Sequence, residues 1–172
     1  MVDQTYNDMS VVLGMADEKT FTEMYYSAME ENPKALILVK THPDVIRRKK
    51  KGYLTKVKLY KNILLLGENY NPIALLKLVS KVYTVTSQLG MEALLLNKEV
   101  HCFGAPFYAG WGLTKDKIIK IERRKKQLSL AELVAAVYLL YPKYVVPKNF
   151  YYKPADVFEV IEYIKKVKSK SF

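Results

Sequence analysis

Residues 35–45 read ALILVKTHPDV, and the passage from Val39 to Pro43 decides the fold. Residues 35–40 are short, continuous and apolar, the pattern of a strand buried on both faces. A histidine and a proline end the run. Pro43 suits the first turn of a helix, where the N–H it lacks would have had no partner. The same order recurs downstream. NILLLGE (62–68), KVYTVT (81–86) and EVHCFG (99–104) read as further strands. Helical patterns separate them. TFTEMYYSAMEEN (20–32) places Phe21, Met24, Tyr25 and Ala28 on one face, with Thr20 as candidate cap. NPIALLKLVS (71–80) has Pro72 in its first turn, and QLGMEALLLN (88–97) is closed by Asn97. This alternation predicts an α/β fold: a Rossmann-like parallel sheet with helices on both faces.

The second half changes character. FGAPFYAGWGLT (103–114) holds three glycines, one proline and four aromatics, so it reads as a loop. KIIKIERRKK (117–126) reads as a short strand or an irregular arm. SLAELVAAVYLLY (129–141) opens with a capping box, Ser129 and Glu132, and predicts a helix. PKYVVPKNFYYKP (142–154) is punctuated by prolines and reads as a linker. DVFEVIEYIKKVKSK (156–170) predicts an amphipathic helix, acidic first and basic last, as the helix dipole favours. The expected division is a nucleotide-sugar-binding domain over 1–150, then a linker and helix over 151–172.

Composition narrows the function. The 172 residues are half apolar and carry a formal net charge of +11, which favours anionic partners. One cysteine, Cys102, rules out an internal disulfide and suits a cytoplasmic protein. The opening, MVDQTYNDMS, lacks the basic and apolar regions of a signal peptide. No apolar run approaches the roughly 20 residues that cross a bilayer. CxxC, HExxH, GxSxG, Walker and GxGxxG patterns are absent, which argues against a P-loop NTPase, a standard dinucleotide enzyme and a metal site.

In an open parallel sheet, ligands bind beyond the carboxyl ends of strands. His42 and Pro43 stand at such an end, directly after Lys40 and Thr41. There an imidazole and free helical N–H groups would face one cleft and suit a phosphate. Otherwise His42 caps its own helix or packs against a neighbouring strand. Thr86, Ser87 and Gln88 make a second strand-to-helix turn. Ser87 is an N-cap or a phosphate ligand, Gly90 permits close approach, and Glu92 accepts from ribose hydroxyls or favours the helix start. The aromatics of 103–114 form a wall over a sugar or base, or plug the core. The run Arg47–Lys51 and the pair Arg123–Arg124 attract anions or are solvated faces. Asp3, Gln4 and Asp8 either reach the cleft or belong to a plain linker. His101 is expected to be a buried, hydrogen-bonded strand histidine.

Taken together, VDQTYNDMSV, LVKTHPDV, VYTVTSQLGMEALL, VHCFGAPFYAGWGLTKD and LVAAVYLLYPKYVVP resemble the Kdo glycosyltransferases of bacterial capsule polysaccharide biosynthesis, over nearly the whole chain. That resemblance implies the C-terminal, nucleotide-binding half of a GT-B glycosyltransferase. It implies CMP-Kdo as donor, a glycolipid acceptor, an N-terminal GT-B half as partner and peripheral association with the inner membrane, with no cofactor and no metal. By the resemblance, His42 (the catalytic candidate) and Pro43 hold the donor phosphate and Ser87 adds a contact. Glu92 meets the cytidine ribose. Gln4, Asp8 and the loop residues Tyr108, Trp111 and Gly112 lie near the sugar. Lys40 and Gln88 complete the donor set. Relatives often have Phe at the place of Met91, and commonly Arg or Gly near Tyr6–Asn7. The competing readings are a non-enzymatic basic module for nucleic acid, which would lack RNP or GXXG signatures, and a GT-B transferase using another nucleotide sugar.

Overall fold

The computed structural model describes residues 1–58, 60–67, 70–117, 121–149 and 151–169. They divide into two units, 1–128 and 129–172. The boundary expected at 150/151 falls inside the second unit.

In the first unit, four apolar runs become parallel strands. β1 (Ile37–Lys40) pairs with β2 (Ile63–Leu66). β3 (Lys81–Thr84) pairs with β4 (Glu99–Cys102), and β4 pairs with the two-residue β5 (Lys115–Asp116). The leading segment, residues 1–3, joins the two halves. Met1 N donates to Leu38 O, Lys40 N to Met1 O and Asp3 N to Lys40 O, while Val2 N donates to Tyr83 O. Across the sheet the order is therefore β2, β1, leading segment, β3, β4, β5. Counted along the chain this is 3-2-1-4-5-6, a doubly wound order, and its switch point lies between the leading segment and β3.

Helices cover both faces. α2 (Glu18–Glu31) buries Phe21, Met24, Tyr25 and Ala28 against Ile37, Val39, Tyr83, Val85 and Phe103. Its cap is Asp17, with Thr20 as the reciprocal partner three residues in, rather than Thr20 itself. Tyr83 and Val85 face α2, so alternation turns Val82 and Thr84 to the opposite face. There α5 (Leu89–Leu95) buries Met91, Ala93 and Leu94, and α4 (Pro72–Leu78) buries Leu76. Asn71 caps α4, accepting from Ile73 N and Ala74 N. α1 (Met9–Leu13) is a short helix capped by Asp8, which accepts from Ser10 N at 2.9 Å.

The helix expected after His42 is a single turn, α3 (Pro43–Ile46). Arg48 takes φ +57°, in the left-handed region, and Lys49 N and Lys50 N both return to Asp44 O, which ends the helix. A 3-10 turn over Tyr53–Lys56 follows.

His101 is buried on β4, as expected, with Nε2 2.7 Å from Glu99 Oε1 and Nδ1 3.2 Å from Glu31 Oε2. The loop at 103–114 is also found as expected. Of the arm at 117–126, residues 118–120 lie outside the described residues, as does Lys170 of the final helix.

In the second unit, α6 (Leu130–Ala135) starts at the expected Ser129/Glu132 capping box and widens into a π-helical turn over Ala136–Leu140. The expected linker is a hairpin instead. β6 (Tyr144–Lys148) pairs antiparallel with β7 (Tyr151–Ala155). A two-stranded ribbon is all edge, so Pro147 and Pro154 are tolerated, and Asn149 supplies the turn at φ +54°. α7 (Val157–Ser169) closes the unit.

Candidate functional site

A cavity of about 610 Å³ opens at the switch point. Its walls come from the leading segment and α1 (Gln4, Thr5, Asp8, Ser10), from the end of β1 (Lys40, Thr41, His42), and from the β3–α5 turn (Thr86, Ser87, Gln88, Glu92), with Phe107 at one side. Seven residues of the expected donor set thus share one pocket: Gln4, Asp8, Lys40, His42, Ser87, Gln88 and Glu92. Pro43 stands beside His42 at the start of α3.

Gln4 is the brace across the switch point. Its Oε1 accepts from Thr86 N at 3.0 Å, and its Nε2 lies 3.0 Å from Thr86 Oγ1 and 3.3 Å from Asp8 Oδ2. Only 8% exposed, it fixes the pocket floor by tying the start of the chain to the β3–α5 turn through hydrogen bonds of its side-chain amide. Asp3, one residue earlier, is buried and accepts from Leu54 N, Gln4 N and Thr41 Oγ1. Burial pushes its carboxyl up, and those hydrogen bonds offset only part of the effect. Burial also acts on Asp8, but there the hydrogen bonds from Ser10 and Gln4 prevail and hold the carboxyl below its usual value.

His42 is half exposed, and its Nδ1 accepts from Asp44 N at 3.1 Å. That bond is the capping role weighed against phosphate binding. It also sets the ring chemistry: with Nδ1 as acceptor, the neutral imidazole carries its proton on Nε2, leaving a donor for a ligand. Ser87 likewise combines roles, since its Oγ accepts from Leu89 N at 3.3 Å and it lines the cavity. Glu92 Oε2 is buried without a hydrogen-bond partner among the described residues.

The three residues expected from the 103–114 loop do not line the cavity. Tyr108 is fully buried, donates its hydroxyl to Ser87 O and fills the space above Gly90. Trp111 donates Nε1 to Phe107 O and lies under Arg124. Gly112, at φ +82°, makes a turn beside Gln127. Aromatic composition identified the loop, but only Phe107 of it reaches the cavity. Ser10 and Thr41 were not anticipated; a lone hydroxyl in a polar run carries no periodic signal. Among the described residues, no group of three His, Cys, Asp or Glu side chains converges on a point.

The comparisons agree with this architecture. A family model described as "Capsule polysaccharide biosynthesis protein" matches residues 1–148. The chain is 46% identical over 176 residues to the capsule polysaccharide modification protein LipA of Neisseria meningitidis serogroup B, covering 99% of this chain and 25% of that protein. It is 41% identical over 146 residues to the lipopolysaccharide-processing protein LpsZ of Rhizobium meliloti, covering 85% and 33%. Among solved structures, "Thermosulfurimonas dismutans KpsC, beta Kdo 2,4 transferase" superposes with a TM-score of 0.85 at 55% identity, covering 94% of this chain and 50% of that one. "Thermosulfurimonas dismutans KpsC, beta Kdo 2,7 transferase" gives 0.65 at 38% identity, covering 85% and 45%. The chain thus spans a quarter to a half of the length of these relatives. The expected GT-B-like α/β fold is borne out by the first of these superpositions. By the family match and the shared sequence, the chain belongs to the capsule polysaccharide biosynthesis protein family.

Proposed function

We propose that this chain is the donor-binding half of a glycosyltransferase that adds Kdo to the lipid linker of a bacterial capsular polysaccharide. In this reading, unit 1 is a Rossmann-like domain and its pocket takes CMP-Kdo. One observation carries it: Gln4, Asp8, Lys40, His42, Ser87, Gln88 and Glu92 line one cavity at the switch point of a doubly wound sheet. In this reading Glu92 accepts from a ribose hydroxyl. The 55% identity to a solved Kdo transferase adds to this support.

The chemistry follows from charge. Transfer breaks the bond between the anomeric carbon and the donor phosphate, and negative charge develops on the departing CMP. A donor aimed at that charge lowers the barrier. His42 Nε2–H and the Lys40 ammonium, both at the end of β1, supply it without a metal. Gln4 and Asp8 lie across the cleft, where the sugar would sit. By the resemblance, the acidic residue acting at the sugar belongs to the N-terminal half, so this chain alone binds CMP and transfers no Kdo. The complete enzyme would work in the cytoplasm against a glycolipid acceptor at the inner membrane. Among the described residues, no helix is long and apolar enough to cross a membrane.

The test is calorimetric titration of the chain with CMP, UMP, UDP and a generic oligonucleotide at two salt concentrations. CMP is expected to bind preferentially, and His42→Ala to weaken it about tenfold, equivalent to one lost charge-assisted hydrogen bond. Equal affinity for the three nucleotides would redirect the reading to another nucleotide sugar. Steeply salt-dependent oligonucleotide binding without CMP binding would replace it with nucleic-acid binding.

A further inference from the structure

Arg124 does not line the cavity, yet it organises the loop that does. Its Nη1 donates to Pro106 O and to Ala109 O, each at 2.6 Å. The guanidinium lies 5.5 Å over the Trp111 ring. Ala109 N returns to Pro106 O, so the two carbonyls bracket a turn whose inner residues are Phe107 and Tyr108. Phe107 is 40% exposed and forms one cavity wall, whereas Tyr108 points inward to Ser87 O. The two rings meet edge to face, 5.2 Å apart.

The backbone shows how closely Arg124 is fitted. Gly110 has φ +80°, and a Cβ there would stand 3.1 Å from Arg124 Cδ. Asp116 Oδ2 accepts from Gly110 N at 2.9 Å and holds the far end of the turn. Among the described residues no strand supplies donors to the Pro106 and Ala109 carbonyls, and a planar cation does so instead. A lysine brings a single nitrogen and no plane to lie on the indole.

We propose that Arg124 is a positioning residue for the pocket: it fixes the Pro106–Ala109 turn so that Phe107 stands as the wall against which the donor's nucleoside packs. The inference rests on the donor-binding reading and names the group that shapes that site from behind.

Trp111 is the sole tryptophan of the chain, so its emission reports on this loop. The experiment compares the unsubstituted chain with Arg124→Lys, Arg124→Ala, Phe107→Ala, the Phe107→Ala/Arg124→Ala pair and Gly110→Ala. Each is titrated with CMP by calorimetry, and Trp111 emission is recorded before ligand is added. Arg124→Lys and Arg124→Ala are both expected to weaken CMP about tenfold and to shift Trp111 emission. In the Phe107→Ala background, Arg124→Ala should change affinity by less than about twofold. Gly110→Ala should imitate Arg124→Ala while keeping the cation, and it carries the test with Arg124→Lys should Arg124→Ala fail to fold. An Arg124→Lys variant that binds CMP normally overturns the inference, because charge alone would then suffice. Additive losses in the pair overturn it too. Absence of CMP binding by the unsubstituted chain overturns the donor-binding reading and this inference with it.

Discussion

Gly90→Ala sets two effects against each other at one atom. Gly90 lies in the first turn of α5, where helix propensity favours alanine by about 1 kcal/mol. The space argues the other way. A Cβ at residue 90 would stand 2.2 Å from Tyr108 Oη, 2.5 Å from its Cζ and 2.8 Å from its Cε2. Tyr108 has no room to retreat, being fully buried, edge-on to Phe107 and bonded to Ser87 O. Overpacking of this kind costs about 1–3 kcal/mol, and the short contacts place this case at the upper end. The net expectation is a loss of about 1–2 kcal/mol, the overpacking cost less the propensity gain. Urea unfolding followed by Trp111 emission measures it, with the tryptophan in the same unit as Gly90. Tyr108→Phe should not rescue the variant, since Cζ remains in place; Tyr108→Leu should, making the double variant less damaged than the sum. A Gly90→Ala chain as stable as the parent, or more so, would refute the packing argument and leave propensity in charge.

Two further outcomes follow from groups away from the cavity. Hydrogen bonds from His101 and Lys115 hold Glu99 down to about 2 from its ordinary 4.5, and Lys117 and Tyr83 hold Glu31 low as well. A depressed carboxylate stabilises the fold above its unfolded value, and that contribution drains away as pH falls from 4.5 towards about 2. Lys115→Met should therefore lower the urea midpoint at about pH 6 and have little effect at about pH 2.5; an equal effect at both values would refute the assignment. The thiol of Cys102 is buried, and burial pushes its pKa up, with the nearby Asp116 charge acting the same way. A thiol reagent at about pH 8 should leave the native chain unlabelled and modify it only in denaturant. Rapid labelling of the native chain would put Cys102 at the surface.

The strands that flank the leading segment were legible because their burial writes itself as mostly apolar runs, as in 37–40 and 81–84. The central position was not. Asp3 and Gln4 look polar, and they are buried only because Thr41, Leu54 and Thr86 satisfy their side chains. No periodic pattern announces such a strand. Proline misdirected the reading of 142–154, since a ribbon with two free edges accepts prolines that a wider sheet would reject. The pocket was largely readable from two strand ends. Its wall was misread because a glycine-rich aromatic loop does not reveal which ring faces out: Phe107 does, while Tyr108 and Trp111 turn to the protein. Arg124 read as one of a pair that attracts anions or forms a solvated face, and charge alone cannot show that one member has folded back onto two carbonyls.

The leading segment gives the first unit an unusual assembly problem. β1 with β2, and β3 with β4 and β5, are pairs of chain neighbours that can form locally. Their union waits on Gln4 meeting Thr86, a partner 82 positions away. Closing so long a loop is slow relative to local pairing. The leading segment is thus the last to find its seat, and the pocket comes into being at that final seating.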